Sequence, residues 1–450
     1  MKSKKEFGVI SLADALEFIV DNRGKTAPVE KHGIPLIATN CVSNNYLYPK
    51  FENIRYVSQH TYKTWFRSHP KPGDIILTNK GSQNGAVCLV PDPVDFCIAQ
   101  DMVALRANSK KVFPLFLFAA LRSKIIQNRI KQLNVDAVIP HFKKTDFDKL
   151  LIPLPKTEDQ HFIGQFYFDI SKKIELNRQI NQTLEEMARS IFKSWFVDFE
   201  PVRAKIAAKA AGQDPERTAM LVLSGKSEEQ FERLSAEQKK NLAETAALFP
   251  DEMQDSELGE IPRGWEIESL SKIADYLNGV ASQKYPAKEG EEFLPVIKIS
   301  EMRNGISERT NKATTKVEKK YIVENGDILF SWSGSLMVQQ WSGGKGLLNQ
   351  HIFKVTSRKY PKWFYFYWTL HHLEKFQAIA ADKAVTMGHI KRGHLDEAKV
   401  VIPEDGLFIK IDSVLHPFLD MQLNNSLQNK SLAEIRDSLL PKLLSGEITV

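Results

Sequence analysis

Two stretches of the chain repeat one phrase, GDIILTNKGSQNGAV at residues 73–87 and GDILFSWSGSLMV at residues 326–338. Each begins with Gly-Asp-Ile, continues with apolar residues, and reaches a Gly-Ser pair eight positions after the first glycine. Glycine favours a turn, and the apolar, β-branched run that follows it favours a strand. Both stretches therefore predict a buried strand that leads into a polar loop, and the two copies lie 253 positions apart.

Four further pairs of segments recur in the same order, at offsets of about 247 to 260. They are VISL (9–12) with IESL (267–270), IPLIATN (34–40) with LPVIKIS (294–300), PHFKKTDFDKLLIPLP (140–155) with GHIKRGHLDEAKVVIP (388–403), and the helix-like segments 158–196 with 408–444. Ordered matches at a near-constant offset indicate an internal duplication.

Each half predicts the same elements: a turn, a strand (Ile75–Thr78 or Ile328–Trp332), a polar loop and a second strand. A helix follows at 114–133 or 361–381, then a short basic helix and an apolar strand that ends in proline. Proline restricts that last strand to a sheet edge. The fold class is therefore mixed α/β, with about 150 residues per half.

The segments at 158–196 and 408–444 predict two long helices. Apolar residues recur at three or four positions, which is the spacing of a coiled coil, and asparagines such as Asn177 and Asn181 are expected on the flanks. The stripe comprises Leu176, Ile180, Leu184, Met187 and Ile191 in the first helix, and Leu423, Leu427, Leu432, Ile435 and Leu439 in the second. The helices are expected to pair with each other; the alternative is that each packs on its own domain.

Residues 201–258 have no counterpart in the second half and predict an inserted helical spacer, after which GEIPRGWEIESL (259–270) restarts the repeat. The predicted domains are 1–157 and 259–404, with long helices at 158–200 and 405–450.

The stretch 201–260 holds eight Lys or Arg and twelve Asp or Glu, whereas the whole chain has 61 basic and 55 acidic residues. The remainder is correspondingly basic, which suits either a polyanionic partner or ordinary solubility.

The three cysteines lie in the first quarter of the chain and form no C-x-x-C pair, so a reducing, cytoplasmic location is expected.

Motifs of catalysis are missing from the sequence. WSGGKG (341–346) fails the P-loop pattern, no G-x-S-x-G elbow occurs, and no Asn-Pro-Pro-Tyr or Asp-Pro-Pro-Tyr motif of amino-methyltransferases is present. The sequence favours a binding protein that is not an enzyme and needs no cofactor or metal of its own.

Two groups of side chains are suited to DNA. The loops after the repeated strands carry residues that hydrogen-bond to base edges, and the short basic helices carry cations suited to phosphates. Lysines are commonly solvated, and Asn-Gly is also a common hairpin turn, so each residue alone is weak evidence. The candidates are Lys80, Ser82, Gln83, Asn84, Ser333 and Ser335 in the loops, His141, Lys143, Lys144, His389, Lys391 and Arg392 in the basic helices, and Lys298.

The whole pattern resembles the specificity subunit of type I restriction–modification systems. The resemblance rests on the paired GDI strands with Gly-Ser loops, the IPLP and VIP strand ends, the helix start at Glu158-Asp159-Gln160, the two Asn/Leu-rich helices, the SELGEIPRGWE restart, and the ending LLPKLLSGEI (439–448). The second half departs from the pattern at Gly406-Leu407-Phe408, where the helix start is expected to differ.

The resemblance implies two target-recognition domains, each reading one half of a split, asymmetric DNA site. Two long antiparallel helices would hold the domains apart, set the gap, and dock two modification (adenine methyltransferase) subunits. Restriction subunits with helicase and nuclease activity would join that core. S-adenosylmethionine, ATP and Mg²⁺ would belong to those partners, so this chain carries no cofactor.

Two other interpretations stay open at this point. A self-contained restriction or modifying enzyme would need a catalytic motif that the sequence lacks. A duplicated coiled-coil adaptor that does not bind nucleic acid would share the helices and the repeat. Helices of roughly 25–30 residues span about 40 Å at ~1.5 Å per residue, close to the ~34–36 Å of one turn of B-DNA, which suits the DNA-reading interpretation.

Overall fold

A computed structural model describes residues 7–22, 24–134, 140–382 and 388–448. The chain divides into two compact units. Unit 1 comprises Met1–Arg178 with Gln428–Val450, and unit 2 comprises Gln179–Leu427. Both units combine helices with small sheets, so the predicted mixed α/β class is confirmed.

The described residues of unit 1 contain nine strands: β1 (Gly8–Ser11), β2 (Leu16–Asp21), β3 (Ile34–Ile37), β4 (Arg55–Val57), β5 (Ile75–Thr78), β6 (Val87–Leu89), β7 (Cys97–Ile98), β8 (Met102–Ala107) and β9 (Leu151–Leu154). They form a four-stranded sheet in the order β2-β8-β5-β6, a three-stranded sheet in the order β4-β3-β7, and the pair β1-β9. Every pairing is antiparallel except that of β3 with β7.

The helices of unit 1 are α1 (Gln59–Thr64), α2 (Pro114–Arg122), α3 (Lys124–Gln132) and the start of α4 (Thr157–Phe192), with short 3-10 helices at Thr39–Cys41 and Lys144–Lys149. The single helix predicted at 114–133 is therefore wrong. Ser123 adopts an extended backbone between α2 and α3, and its Oγ accepts a hydrogen bond from the Ile126 amide, which caps the second helix.

Unit 2 contains β10 (Met253–Ser256), β11 (Gly259–Pro262), β12 (Glu266–Ser269), β13 (Asp275–Asn278), β14 (Phe293–Ile297), β15 (Lys312–Thr314), β16 (Ile322–Val323), β17 (Ile328–Ser331), β18 (Met337–Gln340), β19 (Gly346–Leu348), β20 (Ile352–Thr356) and β21 (Lys399–Ile402). Its α-helices are α5 (Glu200–Ala210), α6 (Pro215–Ser224), α7 (Glu228–Glu232), α8 (Ala236–Ala246), α9 (Leu270–Ile273), α10 (Ile299–Asn304), α11 (Lys362–Asp382) and α12 (Arg392–Glu397), and α13 (Asp405–Leu444) begins in it. A π-helix at Lys193–Val197 follows α4, and 3-10 turns lie at Ser282–Lys284 and Lys319–Tyr321.

The sheets of unit 2 repeat those of unit 1. The order β13-β20-β17-β18 corresponds to β2-β8-β5-β6, and the pair β12-β21 corresponds to β1-β9. The sheet β15-β14-β19-β16 again contains one parallel pairing, that of β14 with β19, and gains β16 at one edge. The duplication predicted from the sequence is thus a duplication of strand topology.

The repeated Gly-Asp pair builds the turn before each central strand. Gly73 and Gly326 have φ of +81° and +88°, in the left-handed region that glycine tolerates best. The Asp74 carboxylate accepts the Lys71 amide at 2.8 Å and a bidentate pair from Arg106 at 2.8 and 2.9 Å. Asp327 likewise accepts the Glu324 amide at 2.8 Å and pairs with Lys354 at 2.7 Å. The phrase therefore recurs because it fixes a turn to a cation on the neighbouring strand.

The insertion differs from its prediction at one end. The helices α5 to α8 agree with a helical spacer, but residues 253–262 form the antiparallel hairpin of β10 and β11. The predicted boundary between 258 and 259 falls at the turn of this hairpin, where Gly259 has φ of +89°. The repeat of strand topology resumes with β12.

The two long helices begin at equivalent positions, since Thr157 and Asp405 differ by the offset of 248 that relates the segments before them. The expected difference at 406–408 lies in how each start is fastened. Gln160 donates to the Pro155 carbonyl and accepts the Phe113 amide, both at 2.9 Å. The equivalent Phe408 instead packs against the rings of Tyr360 and Phe364.

The contact between α4 and α13 is more polar than the sequence predicted. In unit 1, Asn177 is fully buried and its Nδ2 donates to the side chains of Gln428 at 2.7 Å and Asn429 at 2.9 Å. In unit 2, Asn181 donates to the Gln422 carbonyl at 2.9 Å and to Ser426 Oγ at 3.1 Å, and accepts from Asn425 at 2.9 Å.

The placing of Asn177 and Asn181 on the flanks is therefore wrong. Leu176, Met187 and Ile435 of the predicted apolar stripe are 46–48% exposed. The facing helix supplies acceptors for the Nδ2 groups of Asn177 and Asn181, which offsets the cost of burying these donors. Within the described residues, Oδ1 of Asn177 has no hydrogen-bond partner.

Each long helix also contributes to a domain core, as the alternative interpretation expected. In unit 1, Tyr167 and Leu440 join the core around Leu77 and Phe116. In unit 2, Phe192 and Leu415 join the core of Phe330, Trp363 and Phe364. In the described part of the chain, no helix is long and apolar enough to cross a membrane.

We expect Asn177→Ala to lower the free energy of unfolding by about 1–3 kcal/mol, because it leaves the Gln428 and Asn429 amides without their partner. The adjacent Leu176→Ala, on the same helix but half exposed, serves as the control and should change it by less than about 0.5 kcal/mol. Hydrogen exchange across α4 and chemical denaturation measure both. A larger loss of stability for Leu176→Ala would show that the apolar stripe stabilises the pairing of α4 and α13 more than the amide seam, the hydrogen-bonded asparagine and glutamine side chains of the two helices.

Candidate nucleic-acid interface

In unit 1 the loop between β5 and β6 is closed onto the segment that follows α3. The Gly81 amide donates to the Pro140 carbonyl at 3.0 Å, and the Phe142 amide donates to the Asn79 carbonyl at 2.9 Å. Lys80 and His141 thus face each other in an isolated antiparallel bridge. The polar loop (residues 79–85) and the basic segment (residues 140–144) form one surface.

Unit 2 repeats this closure with different side chains. The Gly334 amide donates to the Gly388 carbonyl at 2.8 Å, and the Ile390 amide donates to the Trp332 carbonyl at 3.0 Å. Ser333 and His389 form the equivalent bridge. Here the polar loop is 332–336 and the basic segment is 388–392. Two groups predicted separately from the sequence are therefore adjacent in each unit.

The predicted residues of unit 1 divide into exposed and structural ones. Lys80, Ser82, Gln83 and Lys143 are exposed. Asn84 is half-buried: its Nδ2 donates to Asn134 Oδ1 at 2.6 Å, and its Oδ1 accepts the Phe142 amide at 3.4 Å. Its amide thus fastens the loop to Asn134, two residues beyond the end of α3, and to the basic segment, which leaves it poorly placed to read a base.

Lys144 also differs from its neighbour Lys143. Its ammonium group forms an ion pair with Asp21 at the end of β2, so part of its charge is compensated. The pKa of His141 is lowered by burial and by the nearby Lys80 and Lys143, which keeps this imidazole neutral near pH 7. The positive potential of this surface therefore comes from Lys80 and Lys143.

In unit 2, Ser335, Lys391 and Arg392 are exposed, and His389 is half-buried. Ser333 is buried and its Oγ is 2.9 Å from Nδ1 of His351, so this hydroxyl supports the loop from within.

Lys298 lies elsewhere, after β14 in the other four-stranded sheet, and its Nζ donates to Asn311 Oδ1 at 2.7 Å. The strand that it follows, β14, belongs to a different sheet from β17, which leads into the polar loop of unit 2.

Sequence reasoning missed the aromatic part of this surface. A hollow of about 370 Å³ lies beside the basic segment of unit 2, lined by Trp332, Phe353, Asn278 and residues 389–392. The repeat aligns Trp332 with Asn79, but Phe353 and Asn278 come from other strands and are brought in only by the sheet.

Within the described residues, no cluster of His, Cys, Asp and Glu is suited to a metal ion.

Residues 4–186 and 262–434 both match the family described as type I restriction modification DNA specificity domain. The chain belongs to this family. The two matched stretches correspond to the two copies of the repeat, and the unmatched stretch 187–261 contains the whole of the predicted insertion, 201–258. The family membership favours a DNA-specificity protein over a coiled-coil adaptor.

Named relatives span nearly the whole of this specificity protein. It is 28% identical over 432 residues to the type I restriction enzyme HindI specificity subunit of Haemophilus influenzae, covering 90% of this chain and 92% of that protein. It is 22% identical over 466 residues to the MjaIX specificity subunit of Methanocaldococcus jannaschii, covering 100% and 95%. These relatives are specificity subunits, so the prediction of a non-catalytic component is confirmed.

Among solved structures, the S subunit of a type I restriction-modification system from M. genitalium aligns with a TM-score of 0.49 and 14% identity, over 100% of this chain and 98% of that one. The HsdS subunit from Thermoanaerobacter tengcongensis aligns with a TM-score of 0.33 and 15% identity.

We expect Asn84→Ala to lower the local stability of unit 1 by about 1 kcal/mol, because it removes the amide that joins the loop to Asn134. Ser82→Ala, two residues away on the exposed tip, should change it by less than about 0.5 kcal/mol. Hydrogen exchange of the β5 and β6 amides measures this unit on its own. Equal protection in the two variants would contradict the structural role of Asn84.

Proposed function

We propose that each unit of this specificity subunit reads one half of a bipartite, asymmetric DNA target. The observation that carries the proposal is the matched closure of a polar loop onto a basic segment in both units. The closing bonds are made by the main chain, so the exposed side chains differ while their positions are kept. Two equivalent surfaces with different side chains suit two different half-sites.

Phosphate contacts are assigned to the exposed cations of the two basic segments. Lys143 in unit 1, and Lys391 and Arg392 in unit 2, lie in the segments that main-chain bonds join to the polar loops. Cations in such positions hold a protein on the duplex in one register and carry no sequence information. Lys80 adds charge on the loop itself.

Base contacts are assigned to the exposed loop tips. Gln83 offers both a donor and an acceptor, which suits the N6 and N7 edge of adenine. The hydroxyls of Ser82 and Ser335 can bond either a donor or an acceptor on a base edge. Asn84 and Ser333 are excluded from this role, because their polar groups are already engaged within the protein.

The partners proposed are double-stranded DNA, two modification subunits and the restriction subunits. Apolar side chains that the long helices leave exposed support a docking role for these helices: Leu176, Met187, Ile409, Met421 and Ile435 are 46–79% exposed. Burial of such residues stabilises association. The paired helices would also set the gap between the half-sites.

The domain bounds of the sequence prediction are kept as proposals. Recognition domains occupy 1–157 and 259–404, and long helices occupy 158–200 and 405–450. Residues 201–258 are a spacer whose strand β10 pairs with β11 across the boundary. The proposed site of action is the cytoplasm, where the DNA would be met.

We expect Lys143→Ala, in the complex with the modification subunits, to weaken binding almost equally for all DNA sequences. It should reduce the slope of log K against log salt concentration by about 0.9, the effect of one lost phosphate contact. Lys144→Ala is the matched control: Asp21 already compensates that charge, so its effect on the slope should be smaller. Fluorescence anisotropy over a salt series measures both.

A Lys143→Ala complex that changes its base preference but keeps its salt slope would contradict this assignment of contacts.

We expect exchange of residues 1–157 for those of a relative to change one half of the target and leave the other half intact. The reason is that each unit closes its own loop onto its own basic segment. Methylation mapping of the exchanged complex measures the outcome, with exchange of 259–404 as the reciprocal control. A single exchange that altered both halves while binding persisted would contradict independent reading.

A further inference from the structure

The hollow in unit 2 has an aromatic floor. Trp332 and Phe353 stack with ring centroids 5.9 Å apart, and Ile390 adds an apolar side chain to the lining. Trp332 belongs to the polar loop and Ile390 to the basic segment, so the hollow opens where the proposed base and phosphate contacts meet. Its volume of about 370 Å³ admits the edge of a base.

Polar groups around the floor are bonded within the protein. Trp332 Nε1 donates to Asn278 Oδ1 at 2.9 Å, so the indole donor is occupied. The Arg392 guanidinium donates to the Tyr276 carbonyl at 3.1 Å and lies over the Phe353 ring at 5.7 Å. The floor offered to a ligand is therefore apolar, with the half-buried imidazole of His389 and the cations of Lys391 and Arg392 around it.

Unit 1 has a different surface at the equivalent place. Strand register pairs Asn278 with Phe353 in unit 2 and Asp21 with Val103 in unit 1. The residues equivalent to Trp332 and Arg392 are Asn79 and Lys144. Unit 1 thus holds the ion pair of Asp21 with Lys144 where unit 2 holds the aromatic hollow.

We infer that this hollow receives the 5-methyl group of a thymine in the half-site that unit 2 reads; the inference rests on the proposed function. In the major groove, the thymine methyl is the one apolar group that a base pair presents. The edges of adenine, guanine and cytosine present hydrogen-bonding groups, and an apolar surface would desolvate them without giving a partner in return.

The position of the cations agrees with this assignment. Lys391 and Arg392 at the rim suit the phosphates that flank a base whose edge enters from the groove. The volume exceeds that of a methyl group, so the adjoining edge of the pyrimidine ring enters with it. Trp332 and Phe353 are the specificity-determining residues of this contact.

The test uses the complex of this chain with its modification subunits, and a duplex carrying the target found by methylation mapping. Each thymine of the half-site assigned to 259–404 is replaced in turn by deoxyuridine, which removes only the methyl group. One replacement should weaken binding about fourfold, the effect of exposing one buried methyl. The Trp332→Asn complex carries at this position the residue type of Asn79, its equivalent in unit 1. In that complex, the same replacement of thymine by deoxyuridine should leave the binding affinity unchanged.

Two controls accompany the test. Lys391→Ala should weaken all duplexes alike and keep the fourfold effect of the uracil. Uracils in the other half-site should respond equally in the unsubstituted and Trp332→Asn complexes. A measurement that needs no variant is photocrosslinking through 5-iododeoxyuridine at the sensitive position, with the crosslink expected on Trp332 or Phe353.

The inference is overturned if that half-site contains no thymine, if no uracil weakens binding, or if the crosslink maps to another residue. In each of these cases other base substitutions in the same half-site still weaken binding, and the proposed function stands. If no base substitution in either half-site matters, the proposed function itself has failed.

Discussion

The recognition surface of each unit depends on a pair of backbone hydrogen bonds that closes the polar loop onto the basic segment, and one bond of each pair has its donor in the middle of that segment. The bonds of Phe142 to Asn79 and of Ile390 to Trp332 involve only main-chain atoms. Main-chain bonds do not specify side chains, so the exposed loop residues can change without moving the loop. Asn84 and Ser333 are different, because their side chains also fasten the loops. The Asp74 and Asp327 turns hold the strands that deliver the two loops, and there the side chains must be kept. The two units therefore share the Gly-Asp turn, which needs its side chain, and differ in the polar loop, which is closed by main-chain bonds.

A second constraint lies in the amides of the long helices. Asn177 pairs with Asn429, and Asn181 pairs with Asn425. The repeat offset of 248 converts each of these pairs into the other, since 177 corresponds to 425 and 181 to 429. A buried amide accepts only a partner that supplies the matching group, so such positions specify the register of paired helices at some cost in stability. An apolar stripe alone would tolerate sliding by a turn.

Local signals explain what the sequence could predict. The Gly-Asp turns, the strands after them and the long helices follow from turn residues and apolar periodicity, and the duplication follows from their order. The loops and the basic residues are both predicted as candidates, but only the sheet places them together. The prediction that short helices carry the basic residues is wrong for His141, Lys143, His389 and Lys391, which precede the helices that begin at Lys144 and Arg392. Asn84, Lys144 and Ser333 have partners 50, 123 and 18 positions away, so their structural roles could not be seen in their own segments.

The aromatic hollow and the amide seam could not be predicted either, because the residues that form them lie far apart in the sequence. Phe353 and Trp332 meet through strand pairing. Apolar periodicity places Asn177 on a flank because it counts apolar side chains and carries no information on a partner 252 positions away. The broken helix at Ser123 was missed because a serine within an apolar pattern is also compatible with a continuous helix.

The central claim is that one chain reads two different half-sites through one duplicated scaffold. The most direct measurement is methylation mapping of the genome of a host that carries this chain with its modification subunits and no other system of this kind. The account predicts methylated adenines in a target of two specified parts that differ in sequence and are separated by an unspecified gap of fixed length. A continuous target, or two halves of identical sequence in inverted orientation, would contradict it.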